Sequence, residues 1–294
     1  MKPRLSLQMK GFYSVCLATI LLSALSTHAT RVIELTKDNH IALYGQVTSS
    51  SMGQLAMDMG NLLAHQTAQN VTHPELFINI YSGGGSVNAG NQFINQIEFA
   101  QHRNVTVNCV VDMAASMAFT ITQACDTRYV TTSSLLMQHQ ISSYGMGGPV
   151  ENLKSSFDRI EQLVKLSNQR DAARLNMTLD DFQTKIAHDW WLYGENAVRA
   201  GAADELAVVG CHPSLYQSTH NVTVQTWFGP VTLVMSDCPL ITAPLKVAFE
   251  RNLSPAQKNQ AFEELRNHIT VDPYQMCGNH ELIHYNKDIY TRGA

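Results

Sequence analysis

The sequence has no excess of positive charge, no apolar run of about 20 residues and no recognisable zinc-binding spacing, and each absence excludes a class of protein. Its 20 lysines and arginines are outnumbered by 24 acidic residues, so nothing in the composition suggests a nucleic-acid partner. The apolar-rich run near its start, residues 15–25, is too short to span a bilayer comfortably. The chain has no Cys-x-x-Cys pair and no Cys/His cluster, and we expect neither a bound metal nor another cofactor.

The first 29 residues have the pattern of a secretory signal peptide. Lys2, Arg4 and Lys10 precede the apolar run, and Thr27 and Ala29 are acceptable residues before a cleavage site after Ala29. We therefore expect residues 1–29 to be removed and the rest of the chain to be exported to the periplasm. Secretion, or membrane anchoring by an uncleaved segment, are the alternatives. Membrane association is expected only if this segment is retained.

Export bears on the six cysteines, because disulfides form outside the cytosol. Cys16 leaves with the signal segment, and the five that remain cannot all pair within one chain. Cys211 and Cys238 bracket a strand-rich segment and are the favoured pair. Cys109 lies in an apolar strand and is expected to be a buried free thiol.

Strands and helices alternate over most of the chain after the signal segment, which is typical of an α/β fold. Strands are predicted at residues 31–35, 41–47, 76–81, 105–111, 127–130, 134–139 and 203–209, and helices at 49–69, 87–102, from 116, at 151–174 and at 195–200. This order predicts parallel strands joined by right-handed crossovers. From about residue 211 the pattern changes to a hairpin at 222–235 and an amphipathic helix at 254–268. We therefore divide the chain into a signal segment 1–29, a domain 30–210 and a C-terminal extension 211–294 without an assigned role.

Ser116 stands where an apolar strand runs into a helix, among small residues. A hydroxyl at the first turn of a helix lies beside unpaired backbone N–H groups and the positive end of the helix dipole, which suits a nucleophile. A serine at that position is more often an N-cap, so a catalytic role needs support from elsewhere in the chain. The three glycines at residues 83–85 give such support, because they let backbone N–H groups approach a ligand closely.

Short segments between residue 45 and about residue 209 resemble, in the right order, the proteolytic subunit of the Clp protease, within the ClpP/crotonase superfamily. They are Gly-Gln-Val at 45–47, Ile-Tyr-Ser-Gly-Gly-Gly at 80–85, Ala-Ala-Ser-Met at 114–117, Met-Gln-His-Gln at 137–140, where the family has Met-Ile-His-Gln, and the segment 188–204. The resemblance implies an α/β fold of the ClpP/crotonase type, a superhelical spiral of β-α-β units, followed here by an additional C-terminal extension of strands and a helix.

The resemblance also implies a serine endopeptidase. Ser116 would be the nucleophile, His139 the general base, and Asp189 the carboxylate that orients the histidine. Backbone N–H groups of Gly85 and Met117 would form the oxyanion hole. We expect a side chain at residue 85 to obstruct the approach of the substrate.

The chain departs from the family pattern at several positions around Ser116. Gly83 stands where the family has proline, Asp112 and Ala118 stand where it has glycine, and Ile141 replaces the proline after the His-Gln pair. The acidic side chain of Asp112 is expected to disfavour negatively charged substrates or to raise the pKa of a neighbour.

The expected partners also follow from the resemblance. They are peptide or unfolded-protein substrates and further copies of the chain, in a homo-oligomer that would be a ring. The helix at 151–174 corresponds to the element that mediates ring-to-ring association in the family. The family's usual partner is a cytosolic ATP-driven unfoldase, so export predicts cleavage without an ATPase partner.

Three alternatives remain open. A peptidase resembling signal peptide peptidase A would use a Ser-Lys dyad, with Lys154 as the base. An acyl-CoA enzyme of the crotonase type would share the fold and the oxyanion hole, but no Gly-Gly-Gly run lies at the helix near Ser116 and exported CoA chemistry is not expected. A binding or scaffold protein would have kept the fold without the activity.

Overall fold

The computed structural model describes residues 31–141 and 150–269. The predicted signal segment lies outside these residues, as does Cys277. The strands are β1 (Arg31–Leu35), β2 (His40–Val47), β3 (Glu75–Gly85), β4 (Thr106–Ala115), β5 (Thr127–Gln138), β6 (Trp190–Tyr193), β7 (Glu205–Cys211), β8 (Thr219–Thr226), β9 (Gly229–Ser236) and β10 (Lys246–Phe249). The helices are α1 (Ser49–Ala68), α2 (Val87–His102), α3 (Met117–Gln123), α4 (Val150–Arg174), α5 (Leu179–Lys185), α6 (Gly194–Arg199), α7 (Pro213–Tyr216) and α8 (Pro255–Ile269).

The larger sheet is mostly parallel, as the alternation of strands and helices predicts. Its order is β1-β7-β5-β4-β3-β2, and every neighbouring pair in that order is parallel. Strand β6 adds to β5 in the antiparallel direction. The α/β fold expected from the sequence is therefore confirmed.

Helices α1, α2 and α3 bury their apolar sides in the main core. The fully buried side chains include Phe93, Ile94 and Ile97 of α2 and Phe119 and Ile121 of α3. In α2 the buried residues recur at the three- and four-residue spacing of a helix face. Because α3 is buried on all sides, the turn that leads into it has a fixed position in the core.

The prediction that Cys109 is a free thiol is wrong. Cys109 forms a disulfide with Cys125. In the parallel pairing of β4 with β5, Cys109 lies beside Arg128, only three residues beyond Cys125, and this brings the two Cα atoms within 5.7 Å. A second disulfide joins Cys211 and Cys238.

The C-terminal extension forms a small antiparallel sheet, β10-β9-β8, which packs against α8. The predicted hairpin is the β8–β9 pair, whereas α7 and β10 had no clear sequence signal. The extension contacts the larger sheet through the Cys211–Cys238 disulfide and through a hydrogen bond from the Tyr44 hydroxyl to the Thr242 carbonyl, at 2.8 Å. None of the helices in residues 31–141 and 150–269 has the length and apolar character needed to cross a membrane.

Candidate active site

Three neighbouring parallel strands deliver the candidate residues to one edge of the sheet. The strands β3, β4 and β5 lie side by side, so their carboxyl ends meet at the same edge. Strand β3 ends at Gly85, and the residues that follow β4 and β5 are Ser116 and His139. Sequence positions far apart are thus brought together by strand order alone.

Ser116 occupies the N-cap position of α3, but its side chain makes no capping hydrogen bond. Its backbone has φ 55° and ψ −122°, a combination outside the left-handed well that non-glycine residues occasionally occupy. The backbone N–H of Ser116 donates to the Met137 carbonyl at 2.8 Å and holds the turn in place. A strained backbone of this kind costs of the order of 1–3 kcal/mol and is found mainly at functional sites.

The hydroxyl of Ser116 is directed at His139. Its Oγ lies 2.9 Å from Nε2 of the imidazole, and both residues are half-buried. This is the separation that proton transfer from a hydroxyl to a base requires.

Asp189 lies on the opposite side of the same imidazole. Its Oδ1 is 3.8 Å from Nδ1 of His139, within ion-pair range but longer than a hydrogen bond. The neutral tautomer that suits both neighbours carries its proton on Nδ1, which leaves Nε2 free to accept from Ser116. The structure thus places Ser116, His139 and Asp189 in a row.

The glycine turn lies against Ser116, but through a different residue from the one expected. A Cβ built on Gly84 would lie 2.8 Å from the Met117 nitrogen and 2.8 Å from the Ser116 Cβ. A Cβ on Gly85 would instead lie 2.4 Å from the Val47 carbonyl oxygen. A side chain at residue 85 would therefore collide with the backbone of strand β2. Gly84, the middle glycine of the run at 83–85, is the residue that permits close approach to the Ser116 turn.

This packing places two adjacent backbone segments beside the hydroxyl. Met117 opens α3, so its N–H belongs to the first turn, where helix N–H groups have no partner within the helix. Gly90 of α2 leaves room for the Met117 side chain, because a Cβ at residue 90 would lie 2.4 Å from the Met117 Cε. The Met117 backbone thus packs against Gly84, and its side chain packs against Gly90.

A buried polar cluster behind the Ser116–His139 pair was not expected from the sequence. Asp171 of α4 is fully buried and accepts hydrogen bonds on Oδ2 from Thr120 Oγ1 at 2.9 Å and Gln138 Nε2 at 3.0 Å. Burial raises the pKa of Asp171 to about 6, although the hydrogen bonds from Thr120 and Gln138 and the charge of Arg170 act in the opposite direction.

Two other predicted residues lie apart from the Ser116–His139 pair. Lys154, the alternative base, is exposed near the start of α4, and no contact between it and Ser116 occurs in the described parts of the chain. Asp112 lies beside a register shift between β4 and β5, and burial raises the pKa of its carboxyl group above its usual value. No group of three or more metal-ligating side chains is found within residues 31–141 and 150–269.

An open cleft adjoins the site on the side of α4. It has an empty volume of about 490 Å³ and lies between the N-terminus of α2 and α4. Its lining includes Ser86 and Val87, directly after the glycine turn, and Ile141, two residues after His139. Its lining residues do not include Ser116 or His139.

Sequence comparison finds similarity between the chain and known proteins. A sequence model of the family described as Clp protease matches residues 25–209. The ATP-dependent Clp protease proteolytic subunit 1 of Leifsonia xyli subsp. xyli is 25% identical over 174 residues, which are 58% of this chain and 84% of the relative. Subunit 2 from Tropheryma whipplei is 27% identical over 136 residues, 45% of this chain and 73% of the relative. Subunit 1 from Frankia casuarinae is 25% identical over 170 residues, 57% of this chain and 76% of the relative.

Proposed function

The chain belongs to the Clp protease family, and from this premise we propose that it is a serine endopeptidase that cleaves peptide bonds with Ser116, His139 and Asp189. The observation that carries the proposal is the 2.9 Å contact between Ser116 Oγ and His139 Nε2. A serine hydroxyl is a poor nucleophile until a base takes its proton, and an imidazole at this distance is suited to do so.

The proposed reaction has two halves. Ser116 Oγ attacks the carbonyl carbon of the substrate while His139 Nε2 takes the hydroxyl proton. His139 then returns that proton to the leaving amine as the peptide bond breaks, which leaves an acyl group on Ser116. A water molecule repeats these steps and releases the acid, so that the enzyme returns to its starting state.

Two further groups would stabilise the charges that develop. The carboxylate of Asp189 holds the Nδ1–H tautomer and stabilises the imidazolium. The N–H groups of Met117 and Gly85 bind the oxyanion, and each fixed donor of this kind contributes about 10²- to 10³-fold in rate.

We also propose that the chain acts outside the cytosol, on short peptides or unfolded segments and without an ATPase partner. The two disulfides, Cys109–Cys125 and Cys211–Cys238, support this location, because structural disulfides are rare in the reducing cytosol. They fit the signal segment expected at residues 1–29. The periplasm, the compartment expected from the sequence, satisfies both features, as would secretion.

Self-association is part of the same proposal. Helix α4 leaves apolar side chains exposed, with Phe157 at 59% and Leu166 at 66% exposure. Exposed apolar side chains of this size on one helix are typical of a surface that another protein covers. A second copy of this chain is the partner expected.

Hydrolysis of a fluorogenic peptide in the absence of ATP tests the proposal. We expect turnover by the wild-type chain and background rates in Ser116→Ala and His139→Gln, because loss of either residue removes a step of proton transfer. Lys154→Ala should retain the wild-type rate. A reversed result, in which Lys154→Ala is inactive and His139→Gln is active, would favour the Ser-Lys mechanism.

A further inference from the structure

We propose that Asp171 is a positioning residue that braces helix α3 and the end of strand β5 and so keeps Ser116 and His139 in register. This inference rests on the proposed peptidase function. It adds a residue from α4 that no motif of the chain indicates.

Asp171 is connected to both halves of the Ser116–His139 pair. On one side, Thr120 donates its hydroxyl to Asp171 and its backbone N–H to the Ser116 carbonyl, at 3.2 Å. On the other side, Gln138 donates its amide to Asp171 and accepts the His139 backbone N–H on Oε1, at 3.1 Å. Oδ2 of Asp171 is thus connected to Ser116 through two successive hydrogen bonds, and to His139 through two others.

The side-chain amide of Gln138 also donates to Thr120 Oγ1, at 3.0 Å, which closes the cluster into a ring. Both ends of the Gln138 amide are therefore engaged. An isoleucine at this position, as in the motif Met-Ile-His-Gln, could make none of these hydrogen bonds. The cluster therefore depends on Gln138, a position at which this chain differs from the family motif.

Packing alone does not account for a carboxylate at this place. Asp171 is 0% exposed, and its Oδ1 has no hydrogen-bond partner in the described parts of the chain. A buried, partly unsatisfied carboxylate is destabilising relative to an apolar side chain of similar volume. We therefore expect Asp171 to act by aligning Thr120 and Gln138, the two side chains that donate hydrogen bonds to it.

The protonation state of Asp171 determines how firmly its carboxyl group binds Thr120 and Gln138. The ionised Oδ2 accepts from Thr120 and from Gln138 together, whereas a protonated carboxyl adds a donor to a cluster already supplied with donors. The charged group that acts on it is Arg170 of α4, while polar Thr120 faces it from α3 and polar Gln138 from β5. Because the pKa of Asp171 is about 6, both forms are populated in the range where a histidine titrates.

The test measures the rate constant for labelling of Ser116 by a fluorophosphonate, in the full-length chain, between about pH 5 and about pH 9. The variants are Asp171→Asn, Gln138→Met and the double variant. We expect Asp171→Asn to lower the rate about tenfold at neutral pH and to remove the part of the acid limb that follows the Asp171 pKa of about 6. In the Gln138→Met background the same change should lower the rate by clearly less than tenfold, because only the connection through Thr120 is left for it to remove.

Asp204→Asn is the matched control. Asp204 is another carboxylate tied to α4, through Arg174, and it pairs with the buried Arg128. Within residues 31–141 and 150–269 it makes no hydrogen bond to Thr120 or Gln138, so its loss should lower stability without changing the shape of the pH profile. Thr120→Val provides a second variant, because loss of its hydrogen bond removes a contact that lowers the pKa of Asp171 and should move the acid limb to higher pH.

The outcomes separate the two proposals. A folded Asp171→Asn chain labelled at the wild-type rate with an unchanged pH profile would overturn the role of Asp171 alone. Multiplicative effects of Asp171→Asn and Gln138→Met would also overturn it. A wild-type chain that is never labelled would overturn the peptidase function and, with it, this inference.

Discussion

Gln138 pairs with Trp190 across the antiparallel strands β5 and β6, and this pair sets the place where His139 meets Asp189. Because the two strands run in opposite directions, the residue after Gln138 faces the residue before Trp190. His139 and Asp189 occupy these two positions, at 3.8 Å between Nδ1 and Oδ1. The orientation of the imidazole therefore depends on the short strand β6 as much as on the histidine itself.

Replacement of the carboxylate opposite His139 should slow catalysis without unfolding the chain. In Asp189→Asn the side-chain amide no longer favours a proton on Nδ1, so the imidazole loses the tautomer that accepts from Ser116. We expect kcat to fall by about 100-fold or more. Asp158→Asn, on the exposed surface of α4, is the matched control, and a fall of similar size in both would contradict the role of Asp189.

A methyl group at Gly84 should displace the Ser116 turn. In Gly84→Ala the new Cβ would lie 2.5 Å from the Ala115 carbonyl oxygen, and the backbone has φ +89°, which alanine rarely adopts. We expect a loss of about 2 kcal/mol or more in the free energy of unfolding and near-complete loss of peptide hydrolysis.

Gly60→Ala provides the control for that change. Gly60 lies in α1, and a Cβ there would meet no atom within 4 Å. The same substitution should raise stability by about 0.5–1 kcal/mol, since alanine favours the helix. Urea unfolding and peptide hydrolysis measured on both variants check the pair, and an active Gly84→Ala chain would show that close packing at this turn is dispensable.

The disulfide Cys109–Cys125 encloses Ser116 and the whole of α3. Its removal in a Cys109→Ala/Cys125→Ala double variant should lower the free energy of unfolding by about 3 kcal/mol, because a short loop gains freedom in the unfolded chain. Activity should fall with it as α3 loosens. Removal of Cys211–Cys238, which does not enclose the site, should lower stability and leave the rate of the folded chain close to wild type; equal losses of activity in both variants would argue against a specific role for the first bridge.

The raised pKa of Asp171 predicts a pH dependence of stability. The folded state holds this proton more tightly than the unfolded state, so the contribution is fully present below the ordinary carboxyl pKa of 3.8 and is lost as pH rises through about 6. The difference is about 3 kcal/mol. Urea unfolding of the wild-type chain and of Asp171→Asn at several pH values isolates it, and parallel curves for the two chains would contradict the assigned shift.

The sequence was sufficient for the elements with a clear period or a distinctive motif. Helix α2 and the extent of α4 follow from apolar spacing, and the parallel sheet follows from alternation of strands and helices. Ser116 and His139 stand out because each follows an apolar strand, and the strand order that joins them follows from the parallel β-α-β pattern.

The rest depended on contacts that sequence spacing does not encode. Strand β6 is four residues long and has no alternation, so its antiparallel pairing with β5 was not foreseen. Asp171 lies in a polar stretch of α4 that reads as a solvated face, whereas α3 and β5 cover it. Cys109 was indistinguishable from an apolar core residue until the pairing of β4 with β5 brought Cys125 to it.

The most direct test of the whole account is covalent labelling of the purified chain with a fluorophosphonate, followed by mass spectrometry of the modified peptide. The account predicts one adduct, on Ser116, that forms in the wild-type chain and in Lys154→Ala and is absent from Ser116→Ala and His139→Gln. A wild-type chain that stays unmodified, or an adduct at another serine that persists in Ser116→Ala, would contradict it.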